Sequence, residues 1–123
     1  MRLNPTISIV DDDVLVREAI RRLIKSVGMN ARAYASAEDF LSSNHAQETS
    51  CLILDVQMPG MSGLELQQQL VGSGNQIPII FISAHSDSQI REQALGAGAV
   101  AFLFKPFSEE ALVDAVQAAL GRS

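Results

Sequence analysis

The chain has 123 residues, 47% of them apolar and 19% charged, with a formal net charge of −5. This is the make-up of one folded domain with its own core, and it excludes a disordered segment. The acidic balance also argues against a nucleic-acid grip by this chain itself, because phosphates would be repelled and no basic stripe offsets that.

In chain order, residues 7–10 are a short β-branched run that stops at Asp11. Val16, Ala19, Ile20, Leu23, Ile24 and Val27 then recur at helical spacing, with Gly28 as the stop. Residues 30–34 read as a weaker strand. Ser36 can cap the next helix, with Asp39 completing a capping box and Phe40 and Leu41 facing inward. His45 falls in a polar stretch and is expected to face solvent. Residues 51–54 form a continuous apolar run, as a strand covered on both faces should. Cys51, the only cysteine, lies in it. A buried thiol is expected there, and an internal disulfide or a cysteine-based zinc site is ruled out.

A loop with Pro59, Gly60 and Gly63 follows, in which Met58 and Met61 read as packing residues. Residues 64–71 form a short helix ending near Gly72 and Gly74, and Pro78 opens a fourth strand over 79–82. Residues 86–95 are helical, closed by Gly96 and Gly98, and 101–104 are the fifth strand. Ser108 caps the last helix, with Glu109 and Glu110 in its first turn and Gly121-Arg122-Ser123 as its stop. Its buried stripe is Ala111, Leu112, Ala115, Val116, Ala119 and Leu120. Strict strand–helix alternation predicts an α/β fold, a five-stranded parallel sheet with helices on both faces. No signal-peptide pattern or membrane-length apolar run is visible, so the expected setting is cytoplasmic, without membrane contact.

In such a sheet, ligands bind beyond the carboxyl ends of the strands. Asp11-Asp12-Asp13 follow the first strand, Asp55 the third, Ser83 the fourth and Lys105 the fifth. Two carboxylates about 4 Å apart repel by roughly 4 kcal/mol at an effective dielectric of about 20. Either their pKa values rise or a cation sits among them. A hard, all-oxygen site suits Mg2+, with Mn2+ as a substitute. Asp13 alone reads as an exposed acid of the first helical turn.

These residues carry a resemblance. The stretches IVDDD, LILDVQMPGMSG, FISAH and AFLFKPF stand in order over essentially the whole chain. They are similar to the receiver domains of two-component response regulators, most of all the NarL/FixJ-type transcriptional regulators. The resemblance implies a flavodoxin-like receiver fold with strand order 2-1-3-4-5, filling residues 1–123 as a single domain. It implies Asp55 as the phospho-acceptor and Asp11, Asp12 and Asp55 as Mg2+ ligands, with the backbone carbonyl of Gln57. Ser83 and Lys105 would bind the phosphoryl group, and Phe102 would be the switch aromatic. His85 lies in the loop at the same sheet edge, where it reads either as a residue that tunes the site or as an ordinary surface-loop histidine. Lys105-Pro106 matches a peptide bond that the family usually holds cis.

The implied partner is a sensor histidine kinase, with a phosphorylation-dependent homodimer as a further expectation. DNA would be reached only through an output domain, which is not visible here, so the expectation is an excised fragment. A stand-alone receiver acting on a protein partner is the alternative. An aspartate-nucleophile phosphatase is a weaker one, because its acid/base position two residues after Asp55 is filled by Gln57. A flavodoxin-like cofactor binder would need a phosphate cradle where this chain has three carboxylates.

Overall fold

The structure is a computed structural model that describes residues 4–85 and 87–121. Five parallel strands alternate with helices: β1 (Thr6–Val10), β2 (Asn30–Tyr34), β3 (Cys51–Asp55), β4 (Ile79–Ser83) and β5 (Ala101–Phe104). They lie in the order β2-β1-β3-β4-β5, the order that the resemblance implied. The helices are α1 (Val14–Ser26), α2 (Ala37–Ser42), α3 (Gly63–Gly72), α4 (Ser88–Gly96) and α5 (Glu109–Leu120).

Strand alternation sorts the core into two layers. Ile7, Ile9, Cys51, Ile53, Ile80 and Ile82 meet Ile20 and Ile24 of α1 and Leu112, Val116 and Ala119 of α5. Val10, Leu52, Leu54 and Phe81 point the other way, onto Phe40 of α2, Leu66 and Leu70 of α3 and Ala94 of α4. β3 is buried along its whole length, as its unbroken apolar run requires. Burial also pushes the Cys51 thiol up to about 12, the inert core cysteine expected. Met58 and Met61 pack onto the second layer, as expected.

The helix starts follow their caps. Asp13 accepts from the Leu15 and Val16 N–H groups and opens α1. Ser108 opens α5 by accepting from Ala111 N–H. The expected box at Ser36 forms only by half: its hydroxyl accepts from Asp39 N–H at 3.0 Å. The return bond from Asp39 is not among the hydrogen bonds of the described residues, and Asp is one methylene shorter than the Glu usual at that position. The complete box forms at Ser62 and Glu65 instead. The expected helix start at Ser86 lies outside the described residues; α4 is capped by Asp87, which accepts from Gln89 and Ile90 N–H. Gly121 is the cap residue after α5, while Arg122 and Ser123 lie outside the described residues.

His45 is a correction. Instead of facing solvent it is half-buried, its Nδ1 2.8 Å from the Tyr34 hydroxyl. The α2–β3 connection folds back as a 3-10 turn over Ala46–Glu48, which brings the ring against β2. Beneath it, Thr49 donates to the His45 carbonyl at 2.9 Å and pairs with the buried Ser8 hydroxyl at 2.7 Å.

Candidate functional site

From β1 the chain adds β2 on one side and then crosses back to add β3 on the other, so strand order reverses between β1 and β3. Val10 is in register with Leu54, so Asp11 and Asp55, one residue further along each strand, end side by side. The carboxylates of Asp11, Asp12 and Asp55 each offer an oxygen within 4.8 Å of the others. Lys105, just past β5, brings its Nζ to 3.0 Å from Asp11 Oδ2 and 3.7 Å from Asp55 Oδ2. Asp11 is fully buried and Asp55 is 6% exposed, whereas Asp12 is open to solvent.

Burial is the main force on Asp55. It pushes the carboxyl up to about 6, helped by the Asp11 charge and opposed by the Lys105 ammonium. Asp12 adds a smaller push upward, and the Gln57 backbone N–H a smaller pull downward. One ammonium among three carboxylates leaves negative charge unmatched, which is what a divalent cation corrects.

The backbone around this cluster is held from several sides. Asp13 N–H donates to Asp11 Oδ1 at 2.8 Å, and Arg17 Nη1 donates to the Asp11 carbonyl at 2.8 Å. At Gly63 a side chain has no room, because a Cβ would run into the Asp55 carbonyl. Gly63 N–H closes the β3–α3 loop onto the Val56 carbonyl at 2.8 Å. The Lys105-Pro106 peptide is cis, as the resemblance led us to expect.

Ser83 ends β4 beside β3, with Asp55 in register with Ile82. Its hydroxyl is engaged by its own loop: it donates to the His85 carbonyl at 3.1 Å and accepts from His85 N–H at 3.0 Å. His85 and Gln57 are exposed. Phe102 is 9% exposed, its ring 6.0 Å from Phe81 and 5.3 Å from Phe104 by centroids.

The structure thus brings Asp11, Asp12, Asp55 and Lys105 together and sets Ser83 on the neighbouring strand end. Sequence reading missed Arg17, which looks like any helix-surface arginine until its contact is seen. It also missed Glu38, whose Oε2 accepts from Met61 N–H at 2.9 Å in the loop after Asp55. Only a fold in three dimensions signals either.

A profile of the response regulator receiver domain matches residues 7–117. The chain belongs to that family, whose members are regulatory phospho-acceptors. Among its relatives is the response regulator protein TodT of Pseudomonas putida, 50% identical over 114 residues, which cover 93% of this chain and 50% of TodT. The solved response regulator StyR superposes with a TM-score of 0.90 at 45% identity, over 97% of this chain and 60% of that one. The solved FixJ-N matches with a TM-score of 0.88 at 33% identity, over 99% and 98% of the two chains. These relatives are of the NarL/FixJ type, and the chain spans about half the length of the curated relatives it matches.

Proposed function

We propose that Asp55 takes a phosphoryl group from a sensor histidine kinase, with Mg2+ bound beside it, and that the change is read on the face formed by α4, β5 and α5. The observation that carries this reading is the meeting of the Asp11, Asp12 and Asp55 carboxylates with the Lys105 ammonium. Asp11, Asp12 and Asp55 would hold the ion, with the Gln57 backbone carbonyl as a further ligand; Mn2+ would substitute. Bound there, the ion would neutralise charge on the transferring phosphoryl oxygens.

The chain's own groups do the rest. Asp55, with its carboxyl at about 6, is mostly ionised at about pH 7 yet poorly solvated, which suits a nucleophile. One of its oxygens attacks phosphorus in line, and the bond from phosphorus to the kinase imidazole nitrogen breaks. Lys105, already 3.7 Å from Asp55, shifts its ammonium onto the new phosphoryl oxygens. The Ser83 hydroxyl has one proton, now given to the His85 carbonyl. To bind the acyl phosphate it must release that bond, which frees the β4–α4 loop. Phe102 repacks against the loop's new position, biasing a two-state element. His85, exposed beside Ser83, would govern how water reaches the acyl phosphate and so its lifetime.

The rim of the site carries Val14, 54% exposed, and Leu15, 79% exposed. Such apolar surface next to Asp12 is what a protein phosphodonor must touch. The output would be a DNA-binding domain, or a second copy joined through the switched face. Control of a protein partner by the receiver alone uses the same steps. Acetyl phosphate with Mg2+, followed by intact mass, tests the acceptor: the wild type gains one phosphoryl group and Asp55→Asn gains none. An undiminished gain in the variant rules out Asp55.

A further inference from the structure

The β3–α3 loop, from Val56 to Ser62, carries the backbone next to Asp55, and its course is not set by its own residues alone. Its far end is pinched where Gly63 meets the Asp55 carbonyl. Met58 anchors its start in the core. Between those points, Glu65 of the adjoining α3 accepts from Ser62 N–H at 2.8 Å as part of its capping box. The one side-chain hydrogen bond that reaches the loop from an element that does not adjoin it, among the described residues, comes from Glu38 of α2. Glu38 Oε2 accepts from Met61 N–H at 2.9 Å. The same oxygen stands 2.6 Å from where a Cβ would sit on Gly60, whose φ is +75. The loop therefore leaves a side-chain-sized gap at residue 60, and the Glu38 carboxylate fills it.

We propose that Glu38 is a positioning residue for the reaction at Asp55: by holding Met61 and filling the gap at Gly60, it sets the loop so that the Gln57 backbone faces the cation. This rests on the reading of the acidic cluster as a Mg2+-dependent phospho-acceptor site. Glu38 touches neither the ion nor the phosphoryl group; it acts through the loop. The Met61 N–H holds the Glu38 carboxyl below its ordinary value, in keeping with a bond made to the charged form. Partners that orient a ligand from behind commonly cost about tenfold or more in metal affinity when lost.

The geometry separates length from charge. Gln at position 38 keeps an acceptor oxygen at the same reach but no charge, whereas Asp keeps the charge and falls one methylene short of Met61. The test measures Mg2+ affinity by calorimetry and, with acetyl phosphate at subsaturating Mg2+, the rate of phosphorylation. Glu38→Ala and Glu38→Asp should each weaken Mg2+ binding and slow phosphorylation by about tenfold, with the rate recovered at saturating Mg2+, while Glu38→Gln stays within about twofold of wild type. Position 38 is exposed and helical, and Ala is a good helix former there. The circular dichroism spectrum should therefore be unchanged in all three variants.

The opposite ordering, with Glu38→Gln impaired and Glu38→Asp normal, means that charge acts directly and overturns the proposal. Unchanged Mg2+ affinity in Glu38→Ala, with only thermal stability lowered, reduces Glu38 to a structural contact and overturns it equally. A wild type that binds no Mg2+ and takes no phosphoryl group overturns the underlying reading as well, and that control tells the two failures apart.

Discussion

At Asp55 the physical conflict is between a carboxylate's need for water and a place in the chain that removes it. The residue ends a strand buried along its length, and burial with the Asp11 charge pushes its carboxyl from an ordinary 3.8 up to about 6. The folded protein therefore holds this proton more tightly than the unfolded chain does. That contribution to stability is present in full below about pH 4 and is lost as pH rises through about 6. Allowing for screening by solvent, the loss is about 1 to 2 kcal/mol. Without divalent metal, Asp55→Asn should melt about 4 to 8 °C above wild type at about pH 8, and the gap should close by about pH 4. Adding Mg2+ at ten times its dissociation constant should raise the wild-type stability by about 1.4 kcal/mol at the same alkaline pH. A melting curve for the variant that tracks wild type at every pH removes the strained carboxylate. This residue was legible in the sequence, since an acid directly after a continuous apolar run has little else to do. Glu38 and Arg17 were not, because each acts across space on backbone that carries no mark of it.

At the scale of elements, the helices differ in how firmly they are held. α1 and α5 bury Ile20 and Ile24, and Leu112, Val116 and Ala119, respectively. α4 buries only Ala94, with Ile90 half-buried. It has a buried polar tether instead: Gln67 of α3, 2% exposed, donates from Nε2 to the Ala94 carbonyl at 3.0 Å. The bond lies near the C-terminal end of α4, away from the loop in which Ser83 bonds to the His85 backbone. Gln67→Met keeps the length of the side chain and removes the donor. We expect it to cost about 1 kcal/mol, the usual net value of one hydrogen bond. Amide exchange in α4 should speed up while that of α1 stays unchanged. Equal acceleration in both helices would show that Gln67 is ordinary core. Helices and strands were readable from periodicity and caps because those are local signals. The tether joins positions 27 apart and the Tyr34–His45 pair joins positions 11 apart. Neither spacing belongs to a repeat, so the polar ties stayed hidden and His45 was placed in solvent.

For the molecule as a whole, one arrangement explains both the sheet and the site. Strict strand–helix alternation makes the sheet parallel, so all five strand ends point the same way. The reversal of order between β1 and β3 then places two acids side by side, and β5 brings the lysine across from 94 residues away. The acids and the lysine could be listed from sequence, but their distances could not. They depend on register, such as Val10 against Leu54, and on the closed loop at Gly63. The central claim is that this convergence makes Asp55, and no other acid of the cluster, the phosphoryl acceptor. It is tested most directly by treating the wild type with acetyl phosphate and Mg2+, reducing the acyl phosphate with borohydride, and sequencing the product by mass spectrometry. We predict homoserine at position 55 alone; homoserine at Asp11 or Asp12, or none anywhere despite uptake of the phosphoryl group, would contradict the account.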